Sequence, residues 1–357
     1  MVAQQFLARL SAAALLLFSS SSLAAPVEKR TGAVPAVSGS EVVIGSGTYP
    51  RANYLQDGSI LAAYTATPDD EHIITVATST DNGVSWTKTG TVASGPTSTT
   101  DIDNPYPLQL PNGRILIAFR NHSLQDGVYT YFRITICYSD DNGATWSYLS
   151  TPASDPGPTD GNWEPLLRMA EDGVTLQLYY SRQDSGVDQE SLMRTSTDGG
   201  ATWTSATVIS SGGDGDTRDG MIGVATVDGE NLIMVFESET DGGLFSVHSQ
   251  TSSDGGATWG NRAVVYEAQS GWNAQAPQVI NVGGTLVVSF MYDPNDLNDA
   301  SIQVLTSTDG GSTWGDMTEA FPSGASWAGL LTLDDDTSFL ALASYDGDAQ
   351  AQKLVLS

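Results

Sequence analysis

Ser139-Asp140-Asp141-Asn142-Gly143-Ala144-Thr145-Trp146 is one of five copies of the motif Ser-x-Asp-x-Gly-x-Ser/Thr-Trp in this 357-residue chain. The Asp carboxylate accepts backbone N–H bonds across a tight turn, and the Gly supplies the positive φ that such a turn needs. The motif tryptophans lie 60, 57, 56 and 55 residues apart, a period typical of repeated small antiparallel sheets. We interpret the motif as a structural clasp of a β-propeller, so its aspartates are not candidate catalysts. The copies are Ser79–Trp86, Ser139–Trp146, Ser196–Trp203, Ser252–Trp259 and Ser307–Trp314.

A weaker repeat, a strand followed by an Asp-Gly-like turn and an apolar strand, lies upstream of each motif. Tyr54–Tyr64 and Leu108–Phe119 are its clearest copies. Six such hairpins against five motifs predict an all-β fold, a six-bladed β-propeller of four-stranded antiparallel blades whose last blade lacks the motif. We expect Glu41–Gly47 to pair with strands of Ser338–Ser357, because ring closure removes exposed sheet edges. The other four turns are Asp172-Gly173, Asp228-Gly229, Gly283-Gly284 and Asp335-Asp336.

The N-terminal segment predicts export from the cell. Met1–Ala25 contains an Arg, an apolar run and small residues before a cleavage position, which is typical of a secretory signal peptide. Lys29-Arg30 follows and resembles a dibasic processing site of a fungal secretory pathway. We therefore expect residues 1–30 to be a signal peptide and short propeptide, residues 31–357 to form a single propeller domain, and the mature protein to be secreted and extracellular.

Charge and composition narrow the class of partner. The chain has 14 basic and 42 acidic residues, a net charge of −28, which argues against nucleic acid, anionic membranes and polyanionic substrates. A neutral partner fits better, and nothing demands more than a monomer. The three histidines His72, His122 and His248 lack ligand spacing, and no phosphate loop or dinucleotide fingerprint is present. The sequence therefore predicts no metal and no cofactor.

Two further positions carry conditional expectations. Cys137 is the only cysteine, so no intramolecular disulfide can form, and its alternating apolar strand predicts burial. Asn121-His122-Ser123 is a glycosylation sequon, usable if it lies in an exposed loop.

Inner strands of a propeller surround a central channel, so their equivalent positions point to a shared pocket. Alignment on the turns predicts polar or aromatic residues at the starts of the six inner strands, an arrangement that an apolar core would not contain. These residues are Arg51, Tyr106, Glu164, Asp219, Gln275 and Trp327. The ends of the second strands contribute Tyr64, Arg120, Tyr180, Glu237 and Tyr292.

Two glutamates in this set suit acid–base chemistry. Trp163 precedes Glu164 and can desolvate its carboxyl, which raises a pKa as a general acid requires. Glu237 ends an apolar strand of the next blade, so the two carboxyl groups form a candidate pair of the kind that glycoside hydrolysis uses. The alternatives are a channel carboxylate held by an Arg for Glu164 and a solvated strand end for Glu237.

Three tryptophans lie outside the motifs: Trp163, Trp272 and Trp327. Aromatic faces near a channel mouth are typical of sugar-binding platforms, although ordinary blade packing also explains such residues. Arg51 is a candidate donor to sugar hydroxyls or, alternatively, a structural partner of Glu164 or Asp219.

Four short segments carry a family resemblance: Tyr49-Pro-Arg-Ala52, Asp103-Asn-Pro-Tyr-Pro107, Asn162-Trp-Glu-Pro165 and Val235-Phe-Glu237. With the repeated motif, they make the chain resemble the sialidase-like propellers and most closely the fungal exo-arabinanases of glycoside hydrolase family 93. The resemblance implies retaining, exo-acting release of arabinobiose from the non-reducing end of linear α-1,5-L-arabinan. It implies Glu164 as acid/base and Glu237 as nucleophile. The expected substrate-binding residues are Arg51, Tyr106, Trp163, Asp219, Trp272 and Trp327.

Two other functions stay open at this level. A sialidase needs three arginines on one carboxylate and a Tyr nucleophile. Arg51 with partners among Arg120, Arg182, Arg194 and Arg218, and Tyr345 as nucleophile, are the candidates. A non-catalytic lectin would repeat its site residues in each blade. Here the candidate residues differ from blade to blade, which favours one asymmetric pocket and an enzyme.

Overall fold

Short apolar runs between Gly- and Asp-containing turns fold into β-strands throughout the protein. Residues 60–65, for example, are buried at every position, as expected of a strand covered on both faces. The structure, a computed structural model, describes residues 33–159, 161–184, 188–212, 217–240, 243–294 and 299–357. The predicted signal peptide and the dibasic pair lie outside the described residues. From Ala33 onward, the described residues belong to one compact unit.

The described residues form an all-β structure, as predicted. Its strands in chain order are β1 (Pro35–Val37), β2 (Val42–Ser46), β3 (Thr48–Tyr54), β4 (Ile60–Ala66), β5 (Glu71–Ser79), β6 (Thr87–Pro96), β7 (Thr100–Gln109), β8 (Ile115–Gln125), β9 (Val128–Ser139), β10 (Ser147–Pro156), β11 (Gly161–Met169), β12 (Leu176–Gln183), β13 (Gln189–Ser196), β14 (Thr207–Ser210), β15 (Thr217–Asp228), β16 (Asn231–Thr240), β17 (Ser246–Ser252), β18 (Gly260–Tyr266), β19 (Asn273–Val282), β20 (Thr285–Asp293), β21 (Ser301–Ser307), β22 (Gly315–Phe321), β23 (Ser326–Thr332), β24 (Ser338–Tyr345) and β25 (Asp348–Leu356).

Hydrogen bonding joins these strands into five sheets rather than six separate ones. Strands β3–β6, β7–β10 and β19–β22 each form a four-stranded sheet, and β23–β25 form one with β1 and β2. The remaining sheet has eight strands, because a single parallel pair, Gln189 with Arg218, links β11–β14 to β15–β18. Each half of that sheet is itself antiparallel and follows chain order. We call the six consecutive antiparallel groups runs. In chain order they are β3–β6, β7–β10, β11–β14, β15–β18, β19–β22 and, as the last run, β23–β25 with β1 and β2.

The first strand of each run contacts the first strand of the next, in the order β3, β7, β11, β15, β19, β23 and back to β3. Apolar side chains fill the spaces between neighbouring runs. Ile60 and Leu340, for example, belong to one buried cluster between the first and last runs, and Leu61 and Ile115 belong to the next cluster. The core is therefore distributed around a closed ring, and the first strands line its centre.

Both ends of the described chain meet in the last run. β2 pairs antiparallel with β25, with Val42 opposite Ala351, and β1 pairs with the other end of β25, with Pro35 opposite Leu356. The expected pairing of Glu41–Gly47 with the C-terminal strands is thus confirmed. The N-terminal strands cover an edge of β25 that would otherwise present unpaired backbone groups.

The five repeated motifs form the same hydrogen-bonded turn. In the second copy, Ser139 Oγ donates to Asp141 at 2.7 Å and accepts the Gly143 N–H at 2.9 Å. Asp141 also accepts the Thr145 hydroxyl and N–H, and the Thr145 hydroxyl bond is the main cause that lowers the Asp141 pKa to about 2. The motif tryptophans are half-buried and pack against the cluster shared with the preceding run. Their role is structural, as the spacing predicted.

Cys137 and Asn121 occupy ordered strands. Cys137 is buried, as expected, and burial raises its thiol pKa to about 11. Asn121 lies within β8 rather than in a loop, and its Nδ2 donates to Thr135 Oγ1 at 3.3 Å. The exposed loop that the sequon requires is therefore absent at Asn121.

Loss of one motif serine should destabilise the protein measurably. Ser252 Oγ donates to Asp254 at 2.7 Å and accepts the buried Gly256 N–H at 2.9 Å. Ser252→Ala leaves that N–H without its acceptor, so we expect unfolding by urea to show a loss of about 1–3 kcal/mol. The exposed neighbour Ser253 provides the control, since Ser253→Ala should change little. Equal stabilities of the two variants would contradict the clasp role.

Candidate active site

The first strand of each run contains a β-bulge with a left-handed residue at the same place. In β15 the pairing shifts between Gly220 and Gly223, and Met221 within the shift has φ 54°. A left-handed non-glycine residue costs about 1–2 kcal/mol, so neighbouring contacts must hold it. We call the six residues the bulge residues. They are Tyr49 (φ 55°), Asn104 (54°), Glu164 (41°), Met221 (54°), Ala276 (52°) and Trp327 (60°).

A second ring of side chains comes from the second strand of each run. Each of these residues pairs with the residue that immediately precedes a bulge residue, as Glu237 does with Gly220 and Ser181 with Trp163. We call them the bracing residues. They are Thr65, Arg120, Ser181, Glu237, Met291 and Ser344.

Bracing residues bind the bulge of the following run. Met221 N–H donates to Ser181 Oγ at 3.1 Å, and Ala276 N–H donates to Glu237 Oε2 at 2.7 Å. The Trp327 N–H contacts the Met291 sulfur at 3.1 Å, and the Tyr49 N–H donates to Ser344 Oγ at 2.9 Å. Thr65 of the first run donates to Asp103 of the second run, and Asp103 also accepts the Asn104 N–H. The sixth bracing residue, Arg120, acts electrostatically on the bulge residue Glu164.

Glu237 is the acidic member of the bracing ring. Its side chain is buried, and burial raises its pKa to about 7, whereas the Ala276 N–H and the charge of Arg218 oppose this rise. One carboxyl oxygen, Oε2, is committed to Ala276. The residue therefore has a fixed orientation in a poorly solvated place.

Glu164 is the acidic member of the bulge ring. It retains partial exposure, but its Oε2 is buried and has no hydrogen-bond partner among the described residues. Burial is the main cause that raises the Glu164 pKa to about 8, and the charge of Glu237 is the second. Arg120, Ser181 and Arg218 lower it. The two glutamates thus lie within electrostatic reach, and Glu164 holds a proton more strongly than an ordinary carboxyl.

The neighbouring arginines are themselves held by acids. Arg120 bonds Asp101 at 3.0 Å and Asp103 at 3.3 Å, and its guanidinium lies 5.3 Å from the Trp163 ring centroid. Arg218 donates to Gln189 and lies 3.7 Å from Glu239. Their positive charge limits the pKa rise at Glu164 without a direct ion pair, so its buried oxygen keeps an unused hydrogen-bonding capacity.

Arg51 lies buried between neighbouring runs, near the bulge residues. Its Nη1 donates to the carbonyls of Pro50 and Trp327, and its guanidinium stacks 4.0 Å from the Tyr49 ring centroid. Its Nη2 is buried and has no partner in the part of the chain that the structure describes. The charge of Arg51 also reaches Tyr106, whose hydroxyl pKa burial raises. Arg51 and Tyr106 therefore lie within electrostatic reach of each other, and their contact with substrate stays a prediction.

The prediction that Asp219 contacts substrate is wrong. Its side chain has no exposed surface. It forms an ion pair with Arg262, in which Oδ2 contacts Nη1 and Oδ1 accepts a hydrogen bond from Nη2 at 2.9 Å, and Oδ2 also accepts the Ser210 hydroxyl. Both carboxyl oxygens are occupied. Asp219 instead ties β15 to β18 and β14, and the bulge residue of its strand is Met221.

Trp163 stands in an aromatic cluster beside Glu164. His122 contacts its ring edge-to-face with centroids 4.8 Å apart, and Tyr129 and Phe132 complete the cluster. His122 is fully buried, its Nε2 lies 2.8 Å from the Asn162 carbonyl, and burial lowers its pKa to about 4. The neutral ring therefore donates to the backbone that leads into Trp163 and Glu164, a positioning contact that no residue spacing in the sequence indicated.

The other two tryptophans differ in position. Trp327 is a bulge residue, with its ring centroid 5.9 Å from that of Tyr49, and so lies near the centre of the ring of first strands. Trp272 stacks on Tyr292 with centroids 4.7 Å apart. Tyr292 packs with Tyr266 and Phe290 in the cluster between the fourth and fifth runs. Blade packing thus accounts for the contacts of Trp272.

The alignment of inner positions was correct at Glu164 and Trp327 and displaced by one or two residues elsewhere. Tyr49 replaces Arg51, Asn104 replaces Tyr106, Met221 replaces Asp219, and Ala276 replaces Gln275. On the second strands, Arg120 and Glu237 were correct, whereas Tyr64, Tyr180 and Tyr292 are neighbours of the bracing residues. No group of three His, Cys, Asp or Glu side chains able to hold a metal is found among the described residues. No membrane-crossing helix is found there either.

Comparison with known proteins places the chain in a family. The BNR repeat-like domain matches residues 48–162 and 150–357. The chain belongs to the BNR repeat-like family. A search among curated protein sequences returns no significant match for this BNR repeat-like protein.

Solved structures share its fold. An α-L-arabinanase of Penicillium chrysogenum, complexed with arabinobiose, matches with TM-score 0.69 and 18% identity over 90% of this chain and 99% of that one. The family 93 α-L-arabinofuranosidase of Fusarium graminearum, also with arabinobiose, has TM-score 0.70, 21% identity, and coverage of 89% and 98%. The NanB sialidase of Streptococcus pneumoniae matches at 0.60 and 10% identity, covering 88% and 70%. At these identities the likeness shows the fold, and the predicted all-β propeller is confirmed.

Replacing Glu164 should stabilise the BNR repeat-like protein at high pH. Between about pH 5 and pH 8 the folded state keeps a proton on Glu164 that the unfolded state has released, so the unfolding free energy falls as pH rises. Glu164→Gln removes this loss. Since one pKa unit corresponds to about 1.4 kcal/mol, we expect the variant to exceed wild type by about 1–3 kcal/mol at pH 8 and by less at pH 5 in urea unfolding.

The exposed Glu171 supplies the control for this comparison. Glu171→Gln should keep the wild-type dependence of stability on pH. If Glu164→Gln also keeps it, the buried environment assigned to Glu164 is wrong.

Proposed function

We propose that this protein is a secreted, retaining glycoside hydrolase that releases arabinobiose from the non-reducing end of linear α-1,5-L-arabinan. The observation that carries the proposal is the pair Glu164 and Glu237, two poorly solvated carboxyl groups of neighbouring runs whose pKa values are both raised. Glycoside hydrolysis uses such a pair, with one group as acid and the other as nucleophile. The shared fold with two arabinobiose-binding structures supports the choice of sugar.

The environments of the two glutamates favour one division of roles. Glu164 has the higher pKa and an unpartnered buried oxygen, so it suits the general acid. Glu237 receives the Ala276 N–H and the charge of Arg218, both of which favour its ionised form and suit a nucleophile. The N–H bond also leaves its orientation fixed while the other oxygen is available for attack.

The proposed reaction has two steps. Glu237 attacks the anomeric carbon and the glycosidic C–O bond breaks, while the Glu164 proton moves to the departing oxygen of the shortened arabinan. A water molecule then attacks the same carbon and gives its proton to the Glu164 carboxylate, which releases arabinobiose and regenerates Glu237. Two inversions give net retention of configuration. Arg51 Nη2 and the face of Trp327 or Trp163 are the proposed contacts to sugar hydroxyls and rings.

The six inner strands support a pocket of this kind. We propose that the two halves of the eight-stranded sheet act as separate blades, so that the ring has six blades around one channel. The bulge residues differ in every run, which suits a single asymmetric substrate. This difference argues against a lectin with equivalent sites in each blade.

We further propose that the mature protein is an extracellular monomer, on the basis of the N-terminal sequence pattern and the absence of any feature that demands a partner subunit in the described ring.

A sialidase activity receives less support. Among the arginines considered for a carboxylate-binding triad, Arg120, Arg182 and Arg218 lie in ion pairs with acids, and Arg194 donates to Tyr180 and the Thr204 carbonyl. Arg51, Arg120 and Arg218 each keep one buried nitrogen without a partner among the described residues, but Arg120 and Arg218 are already paired with acids, which leaves only Arg51 of these three without an acidic partner there. Three free guanidinium groups around one carboxylate are therefore not available.

The substrate class is tested by products. Purified protein incubated with linear α-1,5-arabinan should give arabinobiose as the sole early product in chromatography, and no sialic acid from a sialoside. Early mixtures of longer oligosaccharides would contradict exo action. Free sialic acid would favour a sialidase, and sugar binding without any product would favour the lectin.

The roles of the two glutamates are tested by azide rescue with an aryl arabinobioside, whose leaving group needs little protonation. Glu164→Ala should lower turnover of arabinan at least about 10²-fold, because proton transfer is lost. Azide should restore turnover of the aryl substrate by Glu164→Ala and give a glycosyl azide of retained configuration by NMR. Glu237→Ala with azide should give the inverted azide instead. The opposite pair of configurations would exchange the roles.

A further inference from the structure

A cleft of about 710 Å³ opens between the first and last runs. Its walls are formed by β3 to β6 on one side and by β2, β23, β24 and the turn after β24 on the other. Nine of its sixteen lining residues carry a hydroxyl group. The hydroxyl-bearing residues that matter here are Thr48, Tyr64, Thr65, Thr75, Ser344 and Tyr345.

The inner end of the cleft lies at the level of the two glutamates. Thr65 and Ser344 line it, and both are bracing residues, which places them in the ring position that Glu237 holds in the fourth run. Ser344 also holds the N–H of Tyr49 at 2.9 Å. Burial raises the pKa of the Tyr49 hydroxyl, and the negative charge of Glu164 adds to this rise, so the two residues lie within electrostatic reach. The cleft therefore leads outward from the centre of the ring at the same end as the carboxyl pair.

The chemistry of the lining suits a neutral, hydroxyl-rich chain. Hydroxyl groups both donate and accept, so they match sugar hydroxyls without demanding charge, and the half-buried Tyr345 adds aromatic surface. Lys88 and Asp346 supply one charge of each sign. Thr75 also belongs to the lining, but it has no exposed surface, and its hydroxyl is buried without a hydrogen-bond partner among the described residues.

We propose that this cleft binds the part of a neutral polysaccharide that lies beyond the cleaved bond, on its reducing-end side. The proposal rests on the proposed function. The cleft volume falls within the roughly 300–1,000 Å³ of ligand pockets, so it accommodates a chain segment rather than only a bound ion. Binding energy from such a remote segment raises kcat/KM for long substrates and leaves short ones unaffected.

Blocking the cleft tests this inference. Thr67 is exposed on its rim, so Thr67→Trp should fold normally and fill the entrance. Arabinotriose has a single sugar residue beyond the bond that releases arabinobiose, whereas arabinohexaose has a segment of several. We expect Thr67→Trp to lower kcat/KM for arabinohexaose about tenfold, equivalent to about 1.4 kcal/mol of binding, with less than about a twofold change for arabinotriose.

Two further variants make the result decisive. Ser46→Trp introduces the same bulk from the opposite rim and should reproduce the chain-length effect if Thr67→Trp is poorly folded. Val84→Trp adds a tryptophan at an exposed motif turn outside the lining and should leave both substrates unchanged. If wild type cleaves both oligosaccharides, and Thr67→Trp and Ser46→Trp have the same kcat/KM values for both as Val84→Trp, the cleft proposal alone is overturned. Failure of wild type to cleave either oligosaccharide would overturn the proposed function and the cleft proposal with it.

Discussion

The backbone N–H of each bulge residue needs an acceptor, and the architecture of the centre follows from how that need is met. A left-handed bulge turns this N–H away from the ladder of its own sheet, so the acceptor comes from the preceding run in four of the six cases. Each run is thereby held by its neighbour. The Ser344 bond to Tyr49 connects the last run to the first, so the same contact that supports a bulge also fastens the closed ring.

The candidate chemistry uses two places of this structural repeat. Ser181 and Ser344 show that a neutral hydroxyl is enough to support a bulge, yet the fourth run has Glu237 in the equivalent position. The third run similarly has a glutamate where other runs have apolar, amide or aromatic residues. Burial of both carboxyl groups raises their pKa values and therefore costs stability near neutral pH. The Ala276 N–H needs an acceptor, which explains one oxygen of Glu237. It does not explain why this acceptor is a carboxyl group or why a second one, Glu164, lies near it, and the proposed function is the better explanation of both.

Sequence patterns predicted the repeat well because its causes are local. The motif turn lies within eight residues, and its serine, aspartate and glycine bond one another, so the pattern reports the structure directly. The inner positions were harder, because a bulge adds one residue and shifts the alternation of every side chain after it. That shift moved the prediction from Met221 to Asp219. The Arg262 partner of Asp219 lies on another strand, which no short-range pattern could indicate.

The junction of the first and last runs is the place where the repeat is least regular, and the cleft follows from this irregularity. The last run has no motif, and β1 and β2 complete it from the other end of the chain. Gly47 approaches the Thr65 carbonyl and the Tyr64 ring so closely that a Cβ there would collide with both, so the chain enters the first run along one wall of the cleft. A uniform ring would pack this junction like the other five. Closure by two termini instead leaves an open, hydroxyl-lined space that reaches the bracing ring, which is why a chain-binding site is expected at this junction rather than between two ordinary runs.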